Sequence, residues 1–483
     1  MHLKTAILFL LFNCALCMAD STDLKIVRLS EEKEAWLSRD LKKAIELLQP
    51  QADAAKATVV SLHNLGYLYY LKGQNGLALK YLQKAIEKDD SYPYPYLITA
   101  HIYEKSGNLL GALSQIRRGL ALKSDDYDLL LESGKIYKDM GKTEQAEKIL
   151  LELVNNYEDR ATPRIYLAEL FRRLGQYGKA LAILGTEDKI YPESDLLIEK
   201  SRIQKAMGRS DLSRDILIRL YQEYPYDQEI QAYLDTLRLV HGVENVNPKT
   251  FLKKYSYKIK SGESLDYTVR YGFITLGWLK IRMLPGEIRN GKTVYPIHFF
   301  VDTNPSFDFL LSLHHIYESY IDAETMNAVQ TRLYTPGDDD YLARIYYFEY
   351  EQSMFQAYNV YADGRYERRQ KLLPQMAQDG TSMLYFARGL VSSEMDGSTT
   401  VVIDEEFKYG HIAYLNEREE VDTGDQEINA IKIFARAEFE GIAGMNGDAW
   451  GWFTPDDRVV PVKGEIKIII GSISVEIDEG QLD

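Results

Sequence analysis

Residues 59–92 decide the fold of the first half of the chain: VVSLHNLGYLYYLKGQNGLALKYLQKAIEKDDSY. The glycine near the middle of this stretch recurs in steps of 34 residues, with a last step of 33: Gly73, Gly107, Gly141, Gly175 and Gly208. A small residue follows each glycine by five positions: Ala78, Ala112, Ala146, Ala180 and Ser213. An aromatic precedes the first four glycines by four positions: Tyr69, Tyr103, Tyr137 and Phe171. Five units in phase predict a stack of helical hairpins.

Each recurring residue has a physical reason. Glycine tolerates the positive φ of a tight turn between two helices, and alanine lets those helices approach closely. One hairpin cannot bury its own apolar face, so the units must stack. The pattern resembles the tetratricopeptide repeat, which implies an all-α superhelix over residues 23–240. The predicted units lie near 59–92, 93–126, 127–160, 161–193 and 194–227, after an N-terminal capping unit in which we interpret Trp36 as cap packing.

Function in such an array is expected on the first helix of each unit, whose outward positions 2, 5, 9 and 12 line a concave groove. The candidate partner-binding residues at these positions are aromatic or His near the start and basic further along: His63, Tyr67, Tyr70, Tyr94, His101, Lys135, Lys138, Arg172, Arg202 and Lys205. The basic group predicts an extended peptide partner with acidic or C-terminal carboxylate groups. The alternative is that these are ordinary solvated positions.

The N-terminus has the pattern of a signal for export. Lys4 precedes the apolar run from Ala6 to Leu16, which is too short to span a bilayer, and residues 17–19 suit cleavage after Ala19. We therefore predict a signal peptide over residues 1–19 and location in the periplasm of a Gram-negative bacterium, with outer-membrane association left open. Neither Cys14 nor Cys17 follows the small residue of a lipid-attachment site, so soluble export is preferred to a lipoprotein.

Charge and cysteine content narrow the function classes. The formal net charge is −15, and removal of residues 1–19 takes away one lysine, so the mature chain carries 57 − 1 − 72 = −16. This balance argues against nucleic acid, because binding to phosphates needs an excess of Lys and Arg. Both cysteines lie in the predicted signal, so the mature chain has no disulfide, thiolate ligand or cysteine nucleophile. No later segment has the length of a transmembrane span.

The hydrophobic period changes after residues 241–250, a stretch with Gly, Asn and Pro that we predict to be a linker. Alternating apolar and polar residues then predict strands, separated by turns such as Asn290-Gly291 and Asp363-Gly364. The predicted strands are 265–271, 273–284, 293–301, 316–321, 328–334, 343–351, 355–361, 401–406, 410–421, 429–439 and 465–477. Two short helices are predicted near 306–313 and 382–390. Residues 251–483 should therefore form an all-β antiparallel domain, a curved sheet or an open barrel.

This half resembles the DUF3108 family of exported bacterial proteins of unknown function. The resemblance is carried by the stretches 261–267, 271–277, 379–388, 457–462 and 471–473. It implies an envelope protein with a mostly antiparallel β fold, similar to half-barrels that carry lipid-modified proteins between membranes. It implies no activity and no catalytic residue.

A search for reactive groups predicts a protein that is not an enzyme. The chain has no nucleophile elbow, zinc-protease helix, phosphate loop or dinucleotide fingerprint. His314 and His315 would face opposite sides of a strand, and the acidic run 338–340 lacks the spacing of a calcium loop. No metal or cofactor is predicted. Trp450 and Trp452 would point to one side of a strand, as a ligand platform or as core packing.

These observations predict an exported envelope adaptor or scaffold. Its repeat groove would dock a protein or peptide, and its β domain would bind a further ligand. The first alternative is a periplasmic carrier or sensor that binds lipid or polysaccharide in a β-domain cavity. The second is an unrecognised glycan hydrolase, because paired carboxylates exist in any acidic chain.

Overall fold

The computed structural model describes residues 29–157, 160–185, 194–224, 260–289, 291–307, 314–335, 340–374, 376–437, 448–467 and 472–482. The predicted signal peptide and the predicted linker 241–250 lie outside these ranges. The first part of the chain consists of paired helices: α1 Glu31–Leu37, α2 Leu41–Asp53, α3 Val59–Leu71, α4 Asn75–Lys88, α5 Tyr94–Lys105, α6 Leu109–Leu122, α7 Tyr127–Asp139, α8 Thr143–Asn156, α9 Ala161–Arg173, α10 Tyr177–Leu184, α11 Ser194–Ala206 and α12 Ser210–Glu223.

The turns inside the hairpins have the geometry that the repeat pattern predicts. All five repeated glycines adopt positive φ, between 70° and 80°. The helices of the first unit also approach closely, because a Cβ added at Gly66 would lie 2.8 Å from the Cγ of Leu82. Thr58 and Ser61 form a reciprocal capping box at the start of α3. Local sequence thus fixes the turns of the array and the start of α3.

The second part of the chain forms one large sheet and one helix, α13 Ser382–Ser392. The strands are β1 Ser264–Tyr271, β2 Ile274–Met283, β3 Glu287–Arg289, β4 Lys292–Thr303, β5 His314–Asp322, β6 Ala328–Tyr334, β7 Tyr341–Glu349, β8 Met354–Tyr361, β9 Tyr366–Leu372, β10 Ala377–Gln378, β11 Gly397–Ile403, β12 Glu406–Asp422, β13 Glu427–Ala437, β14 Asp448–Phe453, β15 Pro461–Lys467 and β16 Ser472–Ile477.

The sheet is antiparallel except where β10 pairs with β11 in parallel. Its order runs β10-β11-β12-β13-β14-β15-β16-β1-β2-β4-β5-β6-β7-β8-β9, with β3 added to β4. The path begins at β10 and ends at β9, so the sheet is not closed. The fold is therefore the predicted all-α repeat array followed by an open, mostly antiparallel sheet.

Helix α13 packs into the main core of the sheet. Eight of its residues are buried, and Phe386 and Leu390 join a hydrophobic cluster that includes residues of β1, β4 and β13. Arg388, only 1% exposed, donates to both carboxylate oxygens of Glu263 at 2.5 and 2.7 Å and to the carbonyl of Arg458 at 2.7 Å. A buried guanidinium with a bidentate partner fixes the helix against the start of β1.

Some local predictions were wrong. The stretch 465–477 is not one strand: β15 and β16 pair with each other, with Lys467 opposite Ser472, so the chain reverses between them. Strands β3, β9 and β10 were not predicted, and β14 was expected only as the strand that would carry Trp450 and Trp452. The predicted helix 306–313 is described only at its start, where Pro305–Phe307 form a 3-10 turn; most of the acidic run 338–340 lies outside the described residues.

The array and the sheet share a hydrophobic core. One cluster joins Trp36 and Leu65 of the array to side chains of β6, β7, β8 and β9, including Ile345, Tyr358 and Val360. Trp36 is fully buried there, and its packing extends from the cap, as predicted, to the sheet, which was not predicted. The sheet supplies much of its environment.

Candidate partner-binding groove

The first helices of the five units, α3, α5, α7, α9 and α11, carry the predicted groove positions. Strand β9 lies against this surface at the first unit. Asn64 of α3 donates from Nδ2 to the carbonyl of Gly364 at 2.8 Å, and its Oδ1 accepts from the amide of Tyr366 at 3.0 Å. The hydroxyl of Tyr67, one turn further on, accepts from the amide of Arg368 at 3.0 Å.

These contacts take the place of hydrogen bonds that a neighbouring strand would make to the free edge of β9. Residues Tyr366 and Arg368 are two positions apart, so their amides point to the same edge of β9, while the other edge pairs with β8. Edge strands expose unpaired backbone groups that invite further pairing. Side chains of α3 satisfy two of those groups, and the array therefore caps the end of the sheet.

Trp36 forms the centre of the contact. Its ring stacks on Tyr366 with centroids 5.2 Å apart and planes 4° apart, and lies 4.9 Å from the ring of Tyr358 and 5.9 Å from that of Tyr67. Its indole nitrogen donates to the carbonyl of Asn359 at 3.0 Å. The large apolar ring and its polar N–H are both satisfied by the sheet.

Polar contacts extend along the array from this point. The guanidinium of Arg365 lies 3.7 Å from the ring centre of Tyr94, and Tyr92 donates to Asp363 at 3.0 Å. In the third unit, Asp128 pairs with Arg369 of β9 at 3.3 Å. We call Trp36, Asn64, Tyr67, Tyr92, Tyr94 and Asp128 the docked surface. It binds an extended segment of the same chain.

Burial lowers the pKa of a histidine, His63, that lies beside the docked surface. His63 is 2% exposed, and its ring lies 5.8 Å from that of Tyr92 and 6.3 Å from that of Tyr94. Burial, together with the positive charge of Arg365, lowers the pKa of His63 to about 3. His63 is therefore neutral at physiological pH and packs as an aromatic ring rather than as a cation.

The later units present charged side chains that pair with one another. Lys135 lies 2.7 Å from Glu104 and 3.3 Å from Glu132, so it links the second and third units. Lys138 pairs with Glu169 of the fourth unit. Arg172 lies 2.5 Å from Glu199 of the fifth. We call this set the charge ladder: Glu104, Glu132, Lys135, Lys138, Glu169, Arg172 and Glu199.

The pKa values of two carboxyl groups in the charge ladder are shifted. Burial opposes ionisation of Glu132, but hydrogen bonding and charge from His101, followed by the charge of Lys135, lower the pKa of Glu132 to about 2. Burial raises the pKa of Glu104, against the hydrogen bond from Lys135. The ladder is therefore nearly compensated in charge, and a carboxylate ligand would have to replace an existing partner of each cation.

The structure divides the predicted groove residues into two groups. Tyr67 and Tyr94 contact the β domain directly and His63 is buried beside them, whereas Tyr70 lies next to His101, with ring centroids 6.3 Å apart. Lys135, Lys138 and Arg172 belong to the charge ladder, and Arg202 lies 3.6 Å from Glu199. Lys205 is exposed on α11. Binding of an external partner by these residues stays a prediction.

The predicted ligand platform lies on β14. Trp452 is 5% exposed, donates to Glu419 at 2.9 Å and has Lys432 and Lys463 over its ring at 5.3 and 4.9 Å. Trp450 is half-buried, and its ring centroid lies 5.5 Å from that of Phe434. Trp452 thus offers little free ring area, and Trp450 offers more. A ligand at either ring stays a prediction.

Sequence reasoning missed the residues that make the docked surface specific. Asn64, Arg365 and Asp128 had no assigned contact, and β9 was not predicted as a strand. The turn signal Asp363-Gly364 directly before β9 was noticed, and a strand could have been inferred to follow it as the second half of a hairpin with β8.

Two searches of the described residues gave negative results. No helix in those ranges is sufficiently long and apolar to cross a membrane. No cluster of three or more His, Cys, Asp or Glu side chains in the same ranges could hold a metal ion.

Comparisons with known proteins support the division into two parts. Residues 266–478 match the model described as "Protein of unknown function (DUF3108)", and residues 59–91 and 128–159 match tetratricopeptide-repeat models. Among curated proteins, none is similar enough to match.

Solved structures resemble the array at low identity. A tetratricopeptide repeat protein from Parabacteroides merdae is 15% identical, with 43% of this chain and 81% of that chain covered and a TM-score of 0.37. PilW, a type IV pilus biogenesis factor, is 16% identical, with coverage of 42% and 94% and a TM-score of 0.38. PilF from Pseudomonas aeruginosa is 14% identical, with coverage of 43% and 98% and a TM-score of 0.34. The family models thus find two tetratricopeptide repeats in the first part of the chain and a DUF3108 domain in the second.

Proposed function

We propose that this protein is an exported bacterial adaptor that docks a protein or peptide partner on the charge ladder of its repeat array. Tetratricopeptide repeats and a domain of unknown function suggest a non-catalytic scaffold for protein interactions.

One observation carries the proposal: the groove side of the array already holds an extended segment of polypeptide. Asn64 contacts a backbone carbonyl and a backbone amide of that segment with its one side-chain amide. Such contacts depend on the backbone and on an extended shape, which is the general requirement for peptide recognition in a groove. The docked surface binds a segment of the same chain in this way. The charge ladder continues along the array, from Glu104 of α5 to Glu199 of α11.

The chemistry of the charge ladder indicates the kind of partner. Each cation already lies beside a carboxylate, so a partner that offers backbone amides and carbonyls beside mixed charges fits better than a run of carboxylates. This modifies the initial hypothesis of an extended peptide with acidic or C-terminal carboxylate groups. Tyr166, with Lys138 4.8 Å above its ring, adds an aromatic surface for an apolar side chain of the partner.

The partner proposal can be tested with the full-length chain. We would immobilise the protein, expose it to cell-envelope extract of the source bacterium, and identify captured proteins by mass spectrometry. The double variant Lys135→Gln, Arg172→Gln should lose its specific partner. The matched control, Lys142→Gln with Lys148→Gln, removes two exposed lysines near and on the second helix of the third unit and should retain that partner.

Circular dichroism of all three proteins would exclude a folding defect as the cause of lost capture. An identical set of captured proteins from both double variants would refute a role for the charge ladder.

The export proposal rests on the sequence pattern of residues 1–19 and needs its own experiment. We expect the protein in the periplasmic fraction with an N-terminus at Asp20, as determined by fractionation and N-terminal sequencing. Recovery of an uncleaved chain from the cytoplasm would contradict it. A lipid or polysaccharide ligand of the β domain stays a prediction; α13, buried in the core of the sheet, would compete with a lipid for that space.

A further inference from the structure

Four buried polar side chains meet at the end of the sheet next to the array. Arg344 of β7 and Asn359 of β8 are directly opposite in the strand register. Tyr346 is two residues further along β7, on the same face, and Glu405 lies in the turn between β11 and β12. Their relative exposures are 8%, 0%, 4% and 3%. We call these four side chains the polar joint.

One polar atom of each side chain makes no hydrogen bond among the described residues: Nε of Arg344, the hydroxyl of Tyr346, Oδ1 of Asn359 and Oε2 of Glu405. Buried polar atoms in native proteins almost always have a partner, so several orphans in one place require an explanation. An ordered molecule that the chain itself does not supply is the simplest one.

The side chains of the polar joint are held firmly by their other atoms. Arg344 Nη1 donates to Asp404 at 3.2 Å, and Asn359 Nδ2 donates to Glu405 Oε1 at 2.7 Å. Glu405 Oε2 lies 3.4 Å from Arg369 Nε, in an ion pair without hydrogen-bond geometry. Three of the orphan atoms therefore belong to side chains held by other polar contacts, and the ring of Tyr346 packs against Phe355 with centroids 5.4 Å apart.

The backbone at the polar joint is strained. Asp404 and Glu405 form the two-residue turn between β11 and β12 with φ values of 46° and 68°. Turns of this kind favour Asn and Gly, because other residues are disfavoured at positive φ. This conformation places the Glu405 carboxylate inside the protein. Strain of this sort collects at ligand sites, where the surrounding contacts compensate for it.

We propose that the polar joint binds a small neutral molecule that carries hydroxyl groups. Arg344 Nε can only donate, Asn359 Oδ1 and an ionised Glu405 can only accept, and the Tyr346 hydroxyl can do both. A ligand must therefore offer donors and acceptors together, as adjacent hydroxyl groups do.

Charge balance and a nearby aromatic ring support a neutral ligand. Arg344 pairs with Asp404, and Arg369 lies within ion-pair distance of Glu405, Glu367 and Asp128, so each of these charged groups already has a neighbour of opposite charge. An anion or a cation would disturb that balance, whereas a neutral molecule would not. The guanidinium of Arg344 also lies 4.4 Å from the ring centre of Tyr341, so an apolar ring face borders the same group of charges.

The polar joint adjoins the contact between sheet and array. Arg369, which touches Glu405, also pairs with Asp128 of α7 at 3.3 Å. A molecule bound at the joint would stabilise the docked arrangement by mass action, because it would bind that arrangement alone. This inference does not depend on partner binding at the charge ladder, and its failure would leave that proposal intact.

The test uses the full-length chain, purified without polyols, with glycerol and D-glucose as probes in titration calorimetry. We expect saturable binding of at least one probe, weakened about tenfold or more in Tyr346→Phe through the loss of one hydrogen bond. Tyr346→Phe removes only a hydroxyl that makes no hydrogen bond among the described residues, so folding should be preserved. The control Tyr350→Phe removes a hydroxyl that donates to the carbonyls of Ala328 and Ala377, and should bind the probe as wild type does.

A crystal structure of the same preparation separates an organic ligand from ordered water. Density for the probe in contact with the four orphan atoms would support the proposal. Absence of saturable binding for both probes, with only water molecules at those atoms, would overturn it. Equal binding by wild type and Tyr346→Phe would overturn it as well.

Discussion

The docked surface and the charge ladder lie on the same kind of helical hairpin, but their groove side chains do opposite things. The docked surface uses a fully buried indole, a side-chain amide and tyrosines to hold β9. The charge ladder uses ion pairs that join one unit to the next. The repeat thus determines where each side chain lies, and the residue type at that place determines what the surface binds.

The two regions are also stabilised by different kinds of interaction. Contacts of the docked surface bury apolar area and satisfy backbone groups, and their loss leaves cavities or unpaired atoms. Contacts of the charge ladder are electrostatic and partly hydrated, and they depend on pH and salt. Substitutions in the two regions should therefore differ in size and in the conditions that modify them.

The largest effect should come from Trp36→Ala. The change removes a fully buried ring and its hydrogen bond to Asn359, and we expect a loss of about 3–5 kcal/mol in the free energy of unfolding. Urea denaturation of the full chain would measure it. Trp36→Phe, which keeps an aromatic ring, should lose less. A loss below about 1 kcal/mol for Trp36→Ala would show that the array and the sheet do not depend on each other.

A smaller effect is expected for Asn64→Ala. The change leaves the amide of Tyr366 and the carbonyl of Gly364 without their partner in a buried setting, at a cost of about 1–3 kcal/mol. Amide hydrogen exchange should show faster exchange at Tyr366 and little change at residues of β13. Asn75→Ala, at an exposed position of α4, is the control and should leave exchange at Tyr366 unchanged. Unchanged exchange at Tyr366 in Asn64→Ala would contradict the capping role.

The contribution of the charge ladder to the free energy of unfolding should depend on pH. The carboxyl of Glu132 titrates near 4.5 when unfolded and near 2 when folded. A depressed folded pKa contributes stability that is fully present above the unfolded value and is lost as pH falls through the folded one. Glu132→Gln should therefore cost on the order of 1–3 kcal/mol near neutral pH, and the difference from wild type should shrink as the pH falls from 4.5 toward 2.

Urea denaturation across this pH range would measure the difference between wild type and Glu132→Gln. The control is Glu152→Gln, at an exposed position of α8, which should show no such trend. A pH-independent difference for Glu132→Gln would mean that the substitution acts through packing rather than through charge.

The sequence predicted the repeat array but not the contact between the array and β9, for a physical reason. Gly73 and its repeats encode turns through local backbone preference, so a single unit already carries the signal. The contact between Asn64 and Gly364 joins residues 300 positions apart, and no local pattern reports it. Strand β9 also escaped notice because Glu367 to Lys371 are all charged or amide-bearing. Two of them, Arg368 and Arg369, are held by polar contacts with the array and with Glu405 of the polar joint rather than by an apolar face.

The smallest expected effect is for Arg173→Ala, which removes an exposed cation that pairs with Glu169 of the charge ladder. Arg173 and Lys138 both pair with Glu169, but the side chain of Arg173 is 48% exposed and that of Lys138 is 5% exposed. Exposed ion pairs contribute little because water and salt screen them, so Arg173→Ala should cost less than about 0.5 kcal/mol, and less still at high salt. Urea denaturation at two salt concentrations would measure both values. A loss above about 1 kcal/mol that persists in high salt would mean that burial at one end of the pair protects the whole cluster from screening, and that the ladder behaves as a single network rather than as separate pairs.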